Sequence, residues 1–201
     1  ANMIVLPYGD ETSLDWIRAN AGDLAAVIVE PVQSRHPELQ PVDFLRKLRT
    51  LTAELDVCYV FDEVITGFRS HPGGAQALFG VKADLATYGK VIGGGMPIGL
   101  LAGSRKYMDV LDGGMWQYGD DSLPEVAPTF FAGTFVRHPL TMAAASAVMD
   151  YMEENGPTLQ ERLSANMKSL ADRINADLER RGMSTRANLF SSFFYINFAA
   201  E

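Results

Sequence analysis

The chain has 201 residues, of which 47% are hydrophobic and 21% charged, with a formal net charge of −8 at neutral pH. That balance is typical of a globular chain with enough apolar material for a core, and it could be one large domain or a domain and a piece of another. The acidic charge argues against a nucleic-acid partner, which calls for a basic patch, yet leaves room for a local anion site at a helix N-terminus.

One cysteine, Cys58, lies in an apolar run and reads as a buried strand thiol. A single thiol allows no intramolecular disulfide, which fits a reducing cytoplasm. No stretch is long and apolar enough to span a membrane. The opening ANMIVLPYGD has no basic region followed by an apolar one, so it does not read as a signal peptide.

Met3 to Leu6 reads as a short strand stopped by Pro7 and Gly9. Thr12 or Ser13 can cap a helix that runs through Asn20, with Leu14 and Ile17 on one face. Ala25 to Glu30 is a continuous apolar run, the pattern of a strand buried on both faces of a parallel sheet. A polar loop follows from Gln33 to Gln40, and Pro41 then opens a helix through about Leu55. Its Phe44, Leu45, Leu48 and Leu51 recur at helical spacing. Val57 to Phe61 is a second buried strand, so strand, loop, helix and strand repeat at the length of a βαβ unit.

Gln76 to Phe79 reads as a short helix, and Leu85 to Tyr88 and Leu100 to Ala102 as third and fourth strands. Asp112 to Pro128 is a long loop punctuated by Gly and Pro, a kind more often functional than idle, and it carries Trp116 and Tyr118 either as core anchors or in that functional role. Pro139 opens an Ala- and Met-rich helix through about Glu153, whose small residues suggest close packing on another element. Gly156-Pro157 breaks it. Thr158 to Arg181 is an amphipathic helix with Leu159, Leu163, Met167, Leu170, Ile174 and Leu178 as its apolar stripe. Phe193 to Phe198 alternates as a last strand. The rhythm changes near Tyr151, which divides the chain into residues 1–150 and 151–201.

Asp62 follows the apolar run VCYVF directly, and ligands of open α/β sheets bind beyond the carboxyl ends of strands. The same aspartate could instead cap the next turn or pair with Arg69. Lys90 sits between a strand and Gly93-Gly94-Gly95, where it could be a solvated loop residue. The glycines fit a dinucleotide loop poorly, because GGGMPIG gives G-x-G-x-x-x-G with Pro97 where a helix should start. Gly89-Lys90 is followed by Val91 rather than Ser or Thr, so it is not a P-loop. His36, His71 and His138 are scattered, which argues against a metal cluster.

FDEVITGFR followed by YGKVIGGGMPIG resembles the class III aminotransferases, the fold-type I enzymes that use pyridoxal 5'-phosphate. VEPVQS at residues 29–34, AGTF at 132–135 and HPLTMAAA at 138–145 extend the resemblance in the same order. It implies an α/β fold: part of the large domain, a mostly parallel sheet flanked by helices, in residues 1–150, and the start of a small α+β domain in 151–201. Lys90 would form the Schiff base with the cofactor, and Asp62 would pair with its pyridine nitrogen. Val64 would pack on the ring, Gln33 would lie near the ring hydroxyl, and Thr134 would bond the phosphate across a homodimer interface. A cap on the following helix is the rival role for Thr134. Glu30 and Glu63 adjoin these motifs with no catalytic step assigned, and Arg69 is expected to fix the turn after Asp62.

The glycine-serine phosphate loop and stacking aromatic of the family have no counterpart in this sequence, so the chain resembles a fragment that carries the lysine but is not competent alone. SHPGGAQALFGVKADLATYGK, DGGMWQYGDDS and FFAGTFVRHPLTMAAA are similar to aminotransferase domains embedded in polyketide and nonribosomal peptide synthases, which resemble glutamate-1-semialdehyde aminomutase. That implies an amino-acid donor and, as keto acceptor, a β-keto acyl thioester on a carrier-protein domain. The alternatives are a stand-alone class III aminotransferase, an aminomutase, or a non-catalytic module on the same fold. A nicotinamide dehydrogenase built on Gly93 to Gly99 is a poor fit.

Overall fold

The structure is a computed structural model in which residues 3–134 and 136–198 are described. A four-stranded sheet is formed by β1 (Ala26–Val29), β2 (Cys58–Asp62), β3 (Leu85–Gly89) and β4 (Gly99–Gly103), in that spatial order. β1, β2 and β3 are parallel, and β4 returns antiparallel beside β3. The helices that precede, link and follow these strands are α1 (Glu11–Ala19), α2 (Val42–Glu54), α3 (Gly74–Phe79) and α4 (Arg105–Met108). Two long helices, α5 (Pro139–Asn155) and α6 (Thr158–Arg180), lead to an antiparallel hairpin of β5 (Arg186–Phe190) and β6 (Phe193–Asn197).

Register places alternate residues of the sheet on two unlike faces. Val27, Val29, Tyr59, Phe61, Ala86 and Tyr88 point into the main core, against Leu14 and Ile17 of α1 and Phe44, Leu45, Leu48 and Leu51 of α2. The opposite face carries Ile28, Val60, Asp62, Thr87 and Leu101. There Ile28 is 66% exposed, so β1 is not buried on both faces as its unbroken apolar run predicts. The run reports the chemistry of the strand, and the described residues cover only one of its sides.

Most elements fall where periodicity puts them, but several differ. Met3 to Leu6 forms no regular element and has no strand beside it among the described residues. The cap of α1 is Asp10, whose carboxylate accepts from the Thr12 amide and hydroxyl at 2.9 and 2.7 Å, so Thr12 is the capped residue rather than the cap. In α6, Leu163 and Leu170 of the expected stripe are exposed, and the buried line instead passes through Gln160 and Ala171. Gln160 can be buried because its amide donates to the Phe68 carbonyl at 3.3 Å. Lower on α6, Asn175 pairs with both backbone groups of Ala187, at 2.8 and 3.0 Å, and so anchors β5 to the helix.

One close approach shapes the region between β3 and β4. Gly94 has φ +58°, and a Cβ there would lie 2.9 Å from Val148 of α5. The small-residue face of α5, with Ala144 and Val148, therefore seats directly on the glycine turn. In the 112–128 loop Trp116 and Tyr118 meet edge to face at 4.7 Å, with Tyr118 almost fully exposed, so Tyr118 is not a core anchor.

Candidate active site

Asp62 ends β2 at the carboxyl edge of the sheet, paired in register with Thr87. Its Oδ1 accepts from the Val64 amide at 3.0 Å and from the Thr87 hydroxyl at 3.1 Å. Asp62 thus does cap the turn that follows it, and both donors use the same oxygen. Among the described residues no hydrogen bond is made to Oδ2, and no ion pair joins Asp62 to Arg69. Arg69 instead has a buried Nε without a partner among the described residues, and burial pulls its guanidinium pKa below the ordinary arginine value.

Lys90 follows β3 at the start of a 3₁₀ turn, Lys90–Gly93, and is solvent-exposed. Its φ of +48° is left-handed, a conformation that costs a residue with a Cβ about 1–2 kcal/mol and gathers at functional positions. The glycine before it has no room to spare. A Cβ on Gly89 would lie 3.1 Å from the Ile98 carbonyl and 3.5 Å from the Val64 side chain. Val64 therefore packs over the backbone that presents Lys90.

Glu30 stands one residue beyond β1, close enough to feel both charges. Burial raises its pKa above the usual glutamate range, and Asp62 raises it further. A hydrogen bond from the Ser34 amide and the positive charge of Lys90 act the other way. The Ser34 amide donates to Glu30 at 3.3 Å. Gln33, half-buried in the loop after β1, accepts at its backbone carbonyl from the His36 amide at 3.0 Å. The structure therefore brings Asp62, Val64 and Lys90 to one end of the sheet, beside Glu30 and Thr87.

Thr134 is exposed in the segment before α5, with no hydrogen bond to Asp62 or Lys90 among the described residues. Nor does it cap α5, whose N-cap is His138 and whose first residue is Pro139. Phe135 of the AGTF motif lies outside the described residues. No group of three or more His, Cys, Asp or Glu that could hold a metal is found among the described residues.

Residues 10–186 match the family model described as aminotransferase class-III. The chain belongs to that family. Glutamate-1-semialdehyde 2,1-aminomutase of Methanosarcina acetivorans is 39% identical over 203 residues, covering 97% of this chain and 43% of the relative. Among solved structures, an omega-transaminase from Sphaerobacter thermophilus superposes with a TM-score of 0.84 at 32% identity, over 98% of this chain and 43% of the other. A transaminase with PLP bound matches with a TM-score of 0.84 at 29% identity, over 98% and 44%. This class III chain thus spans about 43% of the length of the curated relatives it matches, and its α/β fold is a fragment of the fold-type I architecture.

Thr87 is the site neighbour that the sequence did not announce, and Glu63 is one whose place there the sequence left without a role. Thr87 looks like any β-branched strand residue, and only the register of β2 on β3 reveals it as a donor to Asp62. Glu63 is adjacent to Asp62 in sequence, yet its side chain is fully buried and points away into the fold.

Proposed function

We propose that this chain carries the lysine and aspartate half of a pyridoxal 5'-phosphate site for amino-group transfer. The observation that carries the reading is the pairing of an exposed Lys90 in a left-handed conformation with an Asp62 whose Oδ2 is left for a ligand. Those residues fit the cofactor chemically: a primary amine can bond its aldehyde, and an unspent carboxylate oxygen can accept from a protonated ring nitrogen. When bound, the cofactor supplies a ring that accepts the electron pair left at a substrate carbon.

The rest is done by the protein. Asp62 Oδ2 holds the proton on the ring nitrogen, while the Val64 amide and the Thr87 hydroxyl hold Asp62 in place. Val64 would pack against the cofactor. Lys90 would hold the cofactor through its amine and, once freed, would take and return the proton at the substrate Cα. Gln33 would help hold the ring. Thr134, exposed in the segment before α5, would bond the phosphate of a second subunit's site in a homodimer. Residues 1–150 belong to the large domain and 151–201 begin the small one. A cytoplasmic setting fits the single buried Cys58, and no described helix is long and apolar enough to cross a membrane.

For the substrates, the synthase-like motifs support an amino-acid donor and a β-keto acyl thioester acceptor on a carrier-protein domain. The relatives named as glutamate-1-semialdehyde 2,1-aminomutase favour a second reading, in which the amino group returns to the same carbon skeleton. A stand-alone transaminase gives a separate keto product. The test is borohydride reduction of the purified protein with pyridoxal phosphate, followed by peptide mapping. The expected result is a stable adduct on Lys90 that is lost in Lys90→Ala. An unmodified Lys90 refutes the site and favours a non-catalytic module. A labelled amine donor then separates the substrate readings by where the label ends.

A further inference from the structure

Among the described residues Glu63 is the one carboxylate that is fully buried. A buried carboxylate is expensive unless its oxygens are satisfied, and this one is satisfied by short local bonds. Oε2 accepts from the Thr66 hydroxyl at 2.7 Å and the Ala75 amide at 2.9 Å, and Oε1 from the Gln76 amide at 3.0 Å. The backbone of the same residue is engaged as well. Its amide donates to the Thr87 carbonyl at 2.9 Å, continuing the β2–β3 pairing past Asp62, and its carbonyl accepts from the Gly67 amide at 2.8 Å.

The surrounding backbone is built to let this happen. Gly74 has φ +70°, and a Cβ there would lie 2.5 and 2.7 Å from the two Glu63 carboxylate oxygens. A Cβ on Gly67 would lie 2.6 Å from the Glu63 carbonyl oxygen and 2.6 Å from the Tyr88 ring. Both glycines give up side chains so that residues 63–76 can close around one carboxylate. The turn that is closed contains Val64, whose amide orients Asp62 and whose side chain packs beside Gly89 and Lys90.

We propose that Glu63 is a positioning residue for amino transfer: its buried carboxylate locks the turn between β2 and α3, and so holds Asp62 and Val64 toward the cofactor. The inference rests on the pyridoxal phosphate reading above. Glu63→Gln puts an NH2 against a backbone N–H and loses one acceptor. The turn then loosens, and Asp62 loses its fixed aim.

The experiment titrates the purified protein with pyridoxal phosphate, following the absorbance of the Lys90 adduct and, in parallel, the Tm. A staple that only stabilises α3 would lower Tm and leave cofactor affinity alone. A positioning role raises the dissociation constant by about tenfold, the size expected for misaligning one charge-assisted hydrogen bond. Thr52→Val is the control. Thr52 is fully buried and its hydroxyl bonds Leu48 and Arg49 carbonyls within α2 at 2.9 and 3.1 Å. It is expected to lower Tm without moving the affinity. Thr66→Val, which removes a single bond to Glu63, decides the matter if Glu63→Gln does not fold, with a smaller shift in the same direction. A wild-type adduct with unchanged affinity in both variants overturns the positioning role alone. A wild type that forms no adduct overturns the cofactor reading, and this inference with it.

Discussion

Gly94→Ala tests how tightly the lysine turn is seated on α5. The added methyl meets two separate penalties. A residue with a Cβ at φ +58° pays about 1–2 kcal/mol for the left-handed conformation, offset by about 0.4–1 kcal/mol because alanine restricts the unfolded chain. The Cβ would also lie 2.9 Å from Val148 Cγ2, well inside the contact distance of two carbons of about 3.5–4.0 Å. Val148 is β-branched and stiff, so relief comes from a backbone shift, at about 1–3 kcal/mol. Together these predict a loss of about 2–3 kcal/mol, read from urea unfolding at fixed m-value. Val148→Ala removes the colliding methyl and costs about 1 kcal/mol by itself. In the double variant only the conformational penalty remains, so the two changes are coupled by about 1–2 kcal/mol. A Gly94→Ala loss below about 0.5 kcal/mol, or strict additivity with Val148→Ala, refutes the packing argument.

Tyr59 is completely buried with a hydroxyl that has no partner among the described residues, so Tyr59→Phe removes an unsatisfied polar group and is expected to stabilise the fold by about 1–2 kcal/mol in thermal or urea unfolding. A loss of stability would reveal a partner for that hydroxyl. For Glu30 the folded pKa is raised, mainly by burial and then by Asp62. Its contribution is fully present below the unfolded glutamate pKa of about 4.3 and is lost as pH rises through the higher folded value. Glu30→Gln should therefore flatten the fall in stability just above that point. An unchanged pH profile between the two proteins would show that Glu30 is not perturbed.

Much of the architecture is readable from periodicity, because α2 and the β2 strand use burial on well-defined faces. Phe44, Leu45, Leu48 and Leu51 are all buried as their spacing predicts. The misses have physical causes. β5 is hard to read in the sequence because its polar-apolar alternation, Arg-Ala-Asn-Leu, lasts only four residues before Phe190, and the strand reverses through Ser191, a non-glycine residue at φ +52°. Leu163 and Leu170 obey the helical period yet stay exposed, since burial on α6 follows the polar bonds of Gln160 and Asn175. At the site, Asp62 and Lys90 each had an ordinary explanation, and each explanation is partly met: Asp62 caps its turn, and Lys90 is exposed. What residue types could not express was the left-handed backbone at Lys90 and the use of only one Asp62 oxygen. Thr134 shows the opposite limit: a motif names it, yet among the described residues it neither caps α5 nor bonds Asp62 or Lys90.

The half-covered sheet also has an outer rim. Among the described residues β1 and β4 are the outermost strands, and their outward amides and carbonyls are templates for a further strand. The two rims are unequal. β4 begins and ends in glycine, which weakens a strand and gives an incoming neighbour little to pack on. β1 is Ala-Val-Ile-Val, uncharged, free of proline and with Ile28 bare on the Asp62 side. Strand addition at β1 would complete hydrogen bonding and cover Ile28 in one step. The same rim, left bare at high concentration, is where copies of this polypeptide would adhere to one another.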